Sequence, residues 1–294
     1  MRILIFGSKG QVGSCLRDQC SHTDYEIIYS SREDMDIGNL TATFKYIIDC
    51  HPDVVINVAA YTDVDAAEQN PEAAELINHK AVSNLAESCK CIDAWLIQLS
   101  SNYVFDGNSA RPYVESDPPS AQGSYAISKL SGEDAVKISG CKHLIIRTAW
   151  VFSEHGTNFL KTMLIHAKKN DRLSLVADQI GCPTYGQDIA KAVLKCVIEI
   201  QKDRCPSGIY HFCGSDACSW LQFAEMIFSR AEAYGWHVPK KLLSVRAIDY
   251  STAAYRPAYG VLDCSKFFST FDVSVPDFPK GIEHTFEALG SPRF

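Results

Sequence analysis

The sequence predicts an α/β fold, a doubly wound parallel sheet of the Rossmann type with a smaller mixed α/β substrate lobe behind it. Three observations carry this. Short runs rich in Val, Ile and Leu recur at 2–6, 26–30, 53–60, 95–101 and 143–150, too continuously apolar to face water on one side. Amphipathic segments of helix length separate most of them, at about 39–50, 72–90 and 124–139. A glycine turn, "GSKGQVG" at 7–13, follows the first run directly. Strands and helices alternating in this way close into a parallel sheet with right-handed crossovers and helices on both faces.

Taken in order, "RILIF" reads as a buried strand, and "SCLRDQC" continues the glycine turn as a helix. "EIIYS", "DVVINVAA", "WLIQLSS" and "HLIIRTAW" supply the next four strands. After Trp150 the rhythm loosens. Segments 158–169 and 185–200 read as helices, and 173–178 and 208–212 as strands. The segment 219–235 reads as a helix with Ser219 as its N-cap and Gly235 as its stop. Pro239, Pro257, Pro276 and Pro279 break up the rest. The expected division is a dinucleotide-binding domain over 1–150 and a substrate-binding lobe over 151–294. That boundary is soft, because strands of the first domain can return within the second half.

Composition excludes several classes. Hydrophobic residues make up 46% and charged residues 21% of 294, ordinary for a globular protein. A net charge of −7 without a long basic run gives nucleic-acid binding no electrostatic support. The opening "MRILIFG" is too short for a signal segment, and no apolar run is long enough to span a membrane, so the cytoplasm is the expected compartment. Twelve cysteines are scattered almost singly and read as small core residues under reducing conditions. No C-x-x-C or H-E-x-x-H spacing appears, so no zinc site is expected.

The motifs point to a nicotinamide cofactor. Gly7, Gly10 and Gly13 stand between a strand and a helix, where glycines let backbone approach a pyrophosphate and the helix N-terminus offers free N–H groups. The second strand ends "YSSRED", with Arg32 where an NAD-preferring fold carries a carboxylate for the ribose. A guanidinium suits a 2′-phosphate, which favours NADPH over NADH. Ala59 and Ala60 end the third strand; their small size suits either a cofactor lying across it or tight helix packing. Ser100 and Ser101 end the fourth strand, 24 residues before Tyr125 in the case of Ser101. Tyr125 and Lys129 lie at i and i+4, on one face of a helix. About one such pair is expected by chance in this composition, so its weight comes from its place behind a dinucleotide loop. A neighbouring ammonium favours phenolate and brings the phenol into range as an acid.

Taken together these residues resemble the extended short-chain dehydrogenase/reductase superfamily, and more closely the dTDP-4-dehydrorhamnose reductase family. The resemblance runs essentially end to end, through "VVINVAAYTDVDAAE", "SSNYVFDG", "SYAISKLSGE", "IIRTAWVF", "NFLKTML", "DQIGCPTYGQDIA" and "GIYHF". It implies NAD(P)H-dependent reduction of the C4 ketone of a dTDP-linked 4-keto-6-deoxy sugar, the product being dTDP-L-rhamnose. By the same resemblance Tyr125 is the proton donor, Lys129 its partner, and Ser101 stands where the family has threonine. Gly10, Gln11 and Val12 would lie along the pyrophosphate, Asp36 and Ile37 near the adenine, and Ala59, Ala60 and Tyr61 against the cofactor. Trp150 would contact substrate. The family's Ser-Thr-Asp-Tyr is Ser100-Ser101-Asn102-Tyr103 here, so Asn102 replaces a charge beside the substrate. A divalent-metal requirement and the oligomeric state, a homodimer included, stay open. Two rivals are a nucleotide-sugar epimerase or dehydratase, which lacks its Asp-Glu pair here, and the non-catalytic regulatory subunit of methionine adenosyltransferase.

Overall fold

A computed structural model of the chain describes residues 1–291. Its centre is a six-stranded sheet built from β1 (Arg2–Phe6), β2 (Glu26–Ser30), β3 (Val54–Asn57), β4 (Trp95–Ser101), β5 (Lys142–Thr148) and a sixth strand, Gly208–His211. Every pairing in this sheet is parallel, in the spatial order sixth strand, β5, β4, β3, β1, β2. This is the doubly wound parallel architecture expected from the sequence, and the sixth strand is drawn from beyond residue 150.

The apolar strands are buried on both faces because alternate side chains serve different helices. Ile3, Ile5, Val54, Ile56, Ile97 and Ile146 pack with Leu16 and with Ile189, Val193 and Val197 of the helix Gly186–Gln201. Leu4, Phe6, Val55, Leu96 and Ile145 face the other way, against Ile47, Val82, Leu85 and Val136. Fully burying each such side chain contributes about 1.5–3 kcal/mol. Side-chain caps set where the flanking helices begin: Asn39 for Leu40–Cys50, Asp63 for Val64–Gln69 and Asn158 for Phe159–Ala167.

Two expectations change in detail. The third run leaves the sheet after Asn57, four residues in, so Ala59 and Ala60 lie in the turn beyond the strand. The stretch read as one helix over 72–90 is three joined pieces: Pro71–Glu75, a π-helical turn at Leu76–Lys80, and Ala81–Cys91. A π turn adds one residue to the helical repeat, which an apolar periodicity does not reveal.

The remaining lobe has its own core of Phe152, Leu160, Phe223, Ile227, Phe278, Ile282 and Phe286. Ser219 caps the helix Trp220–Ala233 through a reciprocal capping box with Gln222. The strands Arg172–Val176 and Lys241–Val245 form a separate parallel pair. No helix among the described residues is long and apolar enough to cross a membrane.

Candidate active site

The strand order reverses between β1 and β3, and such a switch point opens a crevice at the carboxyl ends of the strands. A cleft of about 780 Å³ lies there. It brings together Gly7, Gly10, Gln11, Val12, Arg32, Asp36, Ile37, Ala59, Ala60, Tyr61, Ser101, Asn102, Tyr125, Lys129 and Trp150. Of the residues singled out from the sequence, Gly13 alone lies behind the wall. A Cβ there would sit 2.1 Å from the Gly7 carbonyl oxygen, so glycine is what lets the turn close on the helix.

The cleft fits a dinucleotide at its β1 end. The helix Gln11–Cys20 begins at Gly10 without a side-chain cap, so its first N–H groups stay free for an anion. Asn158 steadies the turn by donating to Gln11 Oε1 at 2.8 Å while also donating to Ser153 O at 2.7 Å. Arg32 is exposed at the mouth, its guanidinium 3.4 Å from Asp36. Lys9 stands nearby, paired with Glu33. Thr148, at the end of β5 and in register with Ser101, lines the cleft with its hydroxyl unpartnered.

At the other end, Tyr125 and Lys129 lie on the first turns of the helix Ser124–Ser139. Burial pushes the Tyr125 phenol up to about 12, against the pull of a hydrogen bond with Ser101. Burial also brings the Lys129 ammonium down to about 8, against the attraction of Glu133. Lys129 Nζ donates to Leu99 O at 2.7 Å, which ties the helix to β4. Ser101 Oγ accepts from Tyr103 N at 3.2 Å. Tyr103 meets Tyr125 edge-on, ring centres 5.6 Å apart. The Asn102 amide, expected to face substrate, gives one of its two N–H donors to Gly260 O at 3.0 Å.

Behind this surface runs a buried polar chain. Ser100 Oγ donates to Glu133 Oε1 at 2.5 Å, and Arg147 forks onto both Glu133 oxygens. Arg147 Nη1 donates to His211 Nε2 at 3.3 Å, leaving Nδ1–H of His211 to donate to Tyr113 O at 3.0 Å. Burial and the Arg147 charge hold His211 down to about 3, so it stays neutral.

Sequence reasoning missed Asn78 and Trp220. Asn78 is buried in the π turn, where it accepts from Tyr61 N at 2.9 Å and donates to Tyr61 O at 3.0 Å. Its only signal was an amide on the apolar side of an amphipathic stretch. Outside the cleft, Cys15, Glu154 and His155 bring ligand atoms within 4.8 Å of one another. Asp18 and Gln187 already hydrogen-bond this group internally.

A tyrosine–lysine helix beside a strand-end serine and a dinucleotide turn, on this sheet, defines the short-chain dehydrogenase/reductase class. The family model described as RmlD substrate binding domain matches residues 1–291. Among similar proteins, the dTDP-4-dehydrorhamnose reductase of Sinorhizobium fredii is 37% identical over 98% of both chains, and that of Escherichia coli K12 is 34% identical over 98% of both. A dTDP-4-dehydrorhamnose reductase structure from Clostridium acetobutylicum is 35% identical with a TM-score of 0.90, over 98% of this chain and 99% of that one. Another, from Bacillus anthracis in complex with NADP, is 32% identical with a TM-score of 0.89 over the same shares, 98% and 99%. The chain belongs to the dTDP-4-dehydrorhamnose reductase family. Thermus thermophilus UDP-glucose 4-epimerase, 20% identical with a TM-score of 0.78, shares the fold.

Proposed function

We propose that the protein reduces dTDP-4-dehydro-L-rhamnose to dTDP-L-rhamnose, with NADPH, or NADH, as the reductant. The relatives carry the name of this activity over their full length, and one of them was solved with NADP. Bound in the cleft, the reduced nicotinamide would supply a hydride to C4 of the sugar. Tyr125 gives its phenolic proton to the C4 oxygen as negative charge develops there. Ser101 stabilises the same oxygen from the strand end, and Lys129 lowers the cost of the phenolate that remains. Gly10, Gln11 and Val12 hold the pyrophosphate, Asp36 and Ile37 the adenosine, and Ala59, Ala60 and Tyr61 the strand-end side of the cofactor. Residues 1–150 carry most of the dinucleotide site, and 151–294 most of the substrate lobe. Twelve free thiols suit a reducing cytoplasm.

One observation favours reduction over elimination. Asp36 is the single carboxylate among the residues lining the cleft, and it lies at the Arg32 end, away from Tyr125. Elimination needs a second acid/base group beside the phenol. The experiment is loss of NADPH absorbance with dTDP-4-keto-L-rhamnose generated in situ, set against other keto sugars. Cofactor binding without turnover on any of them would sink this reading and leave the binding-subunit rival.

A further inference from the structure

Trp150 and Trp220 make an arrangement that the reduction does not use. Their rings are stacked, centres 3.4 Å apart and planes 10° from parallel, and both line the cleft. Trp150 holds a left-handed backbone, φ 44°, which is costly for a bulky side chain and is kept where the surroundings require it. Gly181 lies against its ring: a Cβ on that glycine would come within 2.4 Å of Cε2 and 2.8 Å of Nε1. Gly181 and Trp220 thus both press on the Trp150 indole.

Trp220 is placed differently. It is the first residue of its helix, directly after the Ser219 cap, where a side chain can swing without disturbing helical hydrogen bonds. Phe159 waits beside it, ring centres 4.6 Å apart and tilted by 44°. The dinucleotide features gather at the β1 end, while Trp150 follows β5, two residues beyond Thr148, which is in register with Ser101. A nucleotide sugar with its C4 at Tyr125 must extend away from the cofactor, and an aromatic wall there suits its planar base.

We infer that Trp220 occupies the place on the Trp150 ring that the substrate's pyrimidine base takes, so that the indoles part when the base binds. One aromatic stack is exchanged for another, with Trp220 moving toward Phe159, and the apolar wall stays covered throughout. Trp220 is thus a gate whose preference for Trp150 opposes binding of anything that cannot stack. The inference rests on the nucleotide-sugar reading above.

The test uses dTDP as probe on the whole protein. The chain has four tryptophans, and 150 and 220 are the one stacked indole pair among the described residues. Indoles coupled at this distance give a near-ultraviolet circular-dichroism couplet. Saturating dTDP should abolish it, and NADPH alone should leave it. Trp150→Ala should weaken dTDP about tenfold or more, the size of one base–indole stack. Trp220→Ala should bind dTDP at least as tightly as the parent, and Trp220→Phe, which keeps an aromatic ring against the lobe, should do the same. A couplet that survives in the dTDP complex, or a Trp220→Ala loss equal to that of Trp150→Ala, would overturn the gate. Calorimetry separates the failures: dTDP binding with the couplet intact overturns the gate alone. No dTDP binding at all overturns the nucleotide-sugar reading with it.

Discussion

Asn102 Nδ2 donates to the carbonyl oxygen of Gly260 at 3.0 Å, and a Cβ on Gly260 would lie 2.3 Å from that same nitrogen. The strand-end amide is therefore a pin between β4 and the segment that closes behind it. Gly260 N in turn donates to Ile180 O at 2.8 Å, so the pin reaches the small antiparallel pair of the second lobe.

Asn102→Asp tests the pin. A carboxylate has no proton for Gly260 O, and leaving that buried pair unsatisfied costs about 1–3 kcal/mol. Below its ordinary pKa near 4 the carboxyl regains a proton and can donate again. The variant's stability deficit should grow as pH rises from about 4 to 7, measured by denaturant titration. A deficit independent of pH would mean that the amide is not the pin.

Tyr125→Phe should fold, bind NADPH and lose about 10²–10⁴ in kcat, the usual worth of a positioned general acid. Near-parent turnover in single-turnover measurements would remove Tyr125 from the chemistry.

Lys129 should set the pH dependence of the proposed reduction. With its ammonium brought down to about 8 and the Tyr125 phenol up at about 12, the lysine loses its proton first as pH rises. The rate of reduction, kcat/KM, should fall above about pH 8 as the stabilising charge disappears. Lys129→Met should be slower throughout and lack that limb; the same limb in both proteins would assign it elsewhere.

Replacing Arg32 by Ala should weaken NADPH more than NADH. Its guanidinium is 87% exposed, so solvent screening holds the change in preference to about three- to tenfold. Equal effects on the two dissociation constants would show a surface arginine with no part in the choice.

Thr148→Val removes a buried hydroxyl that has no partner. Relieving an unsatisfied group contributes about 1 kcal/mol, so Tm of the cofactor-free protein should rise by about 2–4 °C. If the hydroxyl serves the nicotinamide end, NADPH affinity should fall several-fold at the same time. A stabler protein with unchanged affinity would leave Thr148 outside the site.

Sequence alone carried the parts of this site that are local. The glycine turn, the strand-end serines and the Tyr125–Lys129 pair each depend on residues a few positions apart, and spacing displays them. Asn158 on Gln11, Asn102 on Gly260 and Trp220 on Trp150 join residues 147, 158 and 70 positions apart in the chain. Such contacts are set by tertiary packing, and no periodicity announces them. The six-stranded sheet was legible because buried parallel strands read as continuous apolar runs. The π turn was hidden because its extra residue sits inside an otherwise regular amphipathic pattern.

That extra residue makes the segment unusually sensitive to deletion. The Asn78 side chain grips Tyr61 and Ser128, while its carbonyl presses so near the helix Ser124–Ser139 that a Cβ on Gly132 would lie 2.2 Å away. Shortening Leu76–Lys80 by one residue would mend the helix into a regular one and turn Asn78 by about 100°. The repaired helix would satisfy its own backbone better, yet it would release the Tyr61 edge of the cleft and lift away from Gly132. Length variation in homologous chains should therefore avoid this stretch even though it reads as an ordinary surface helix.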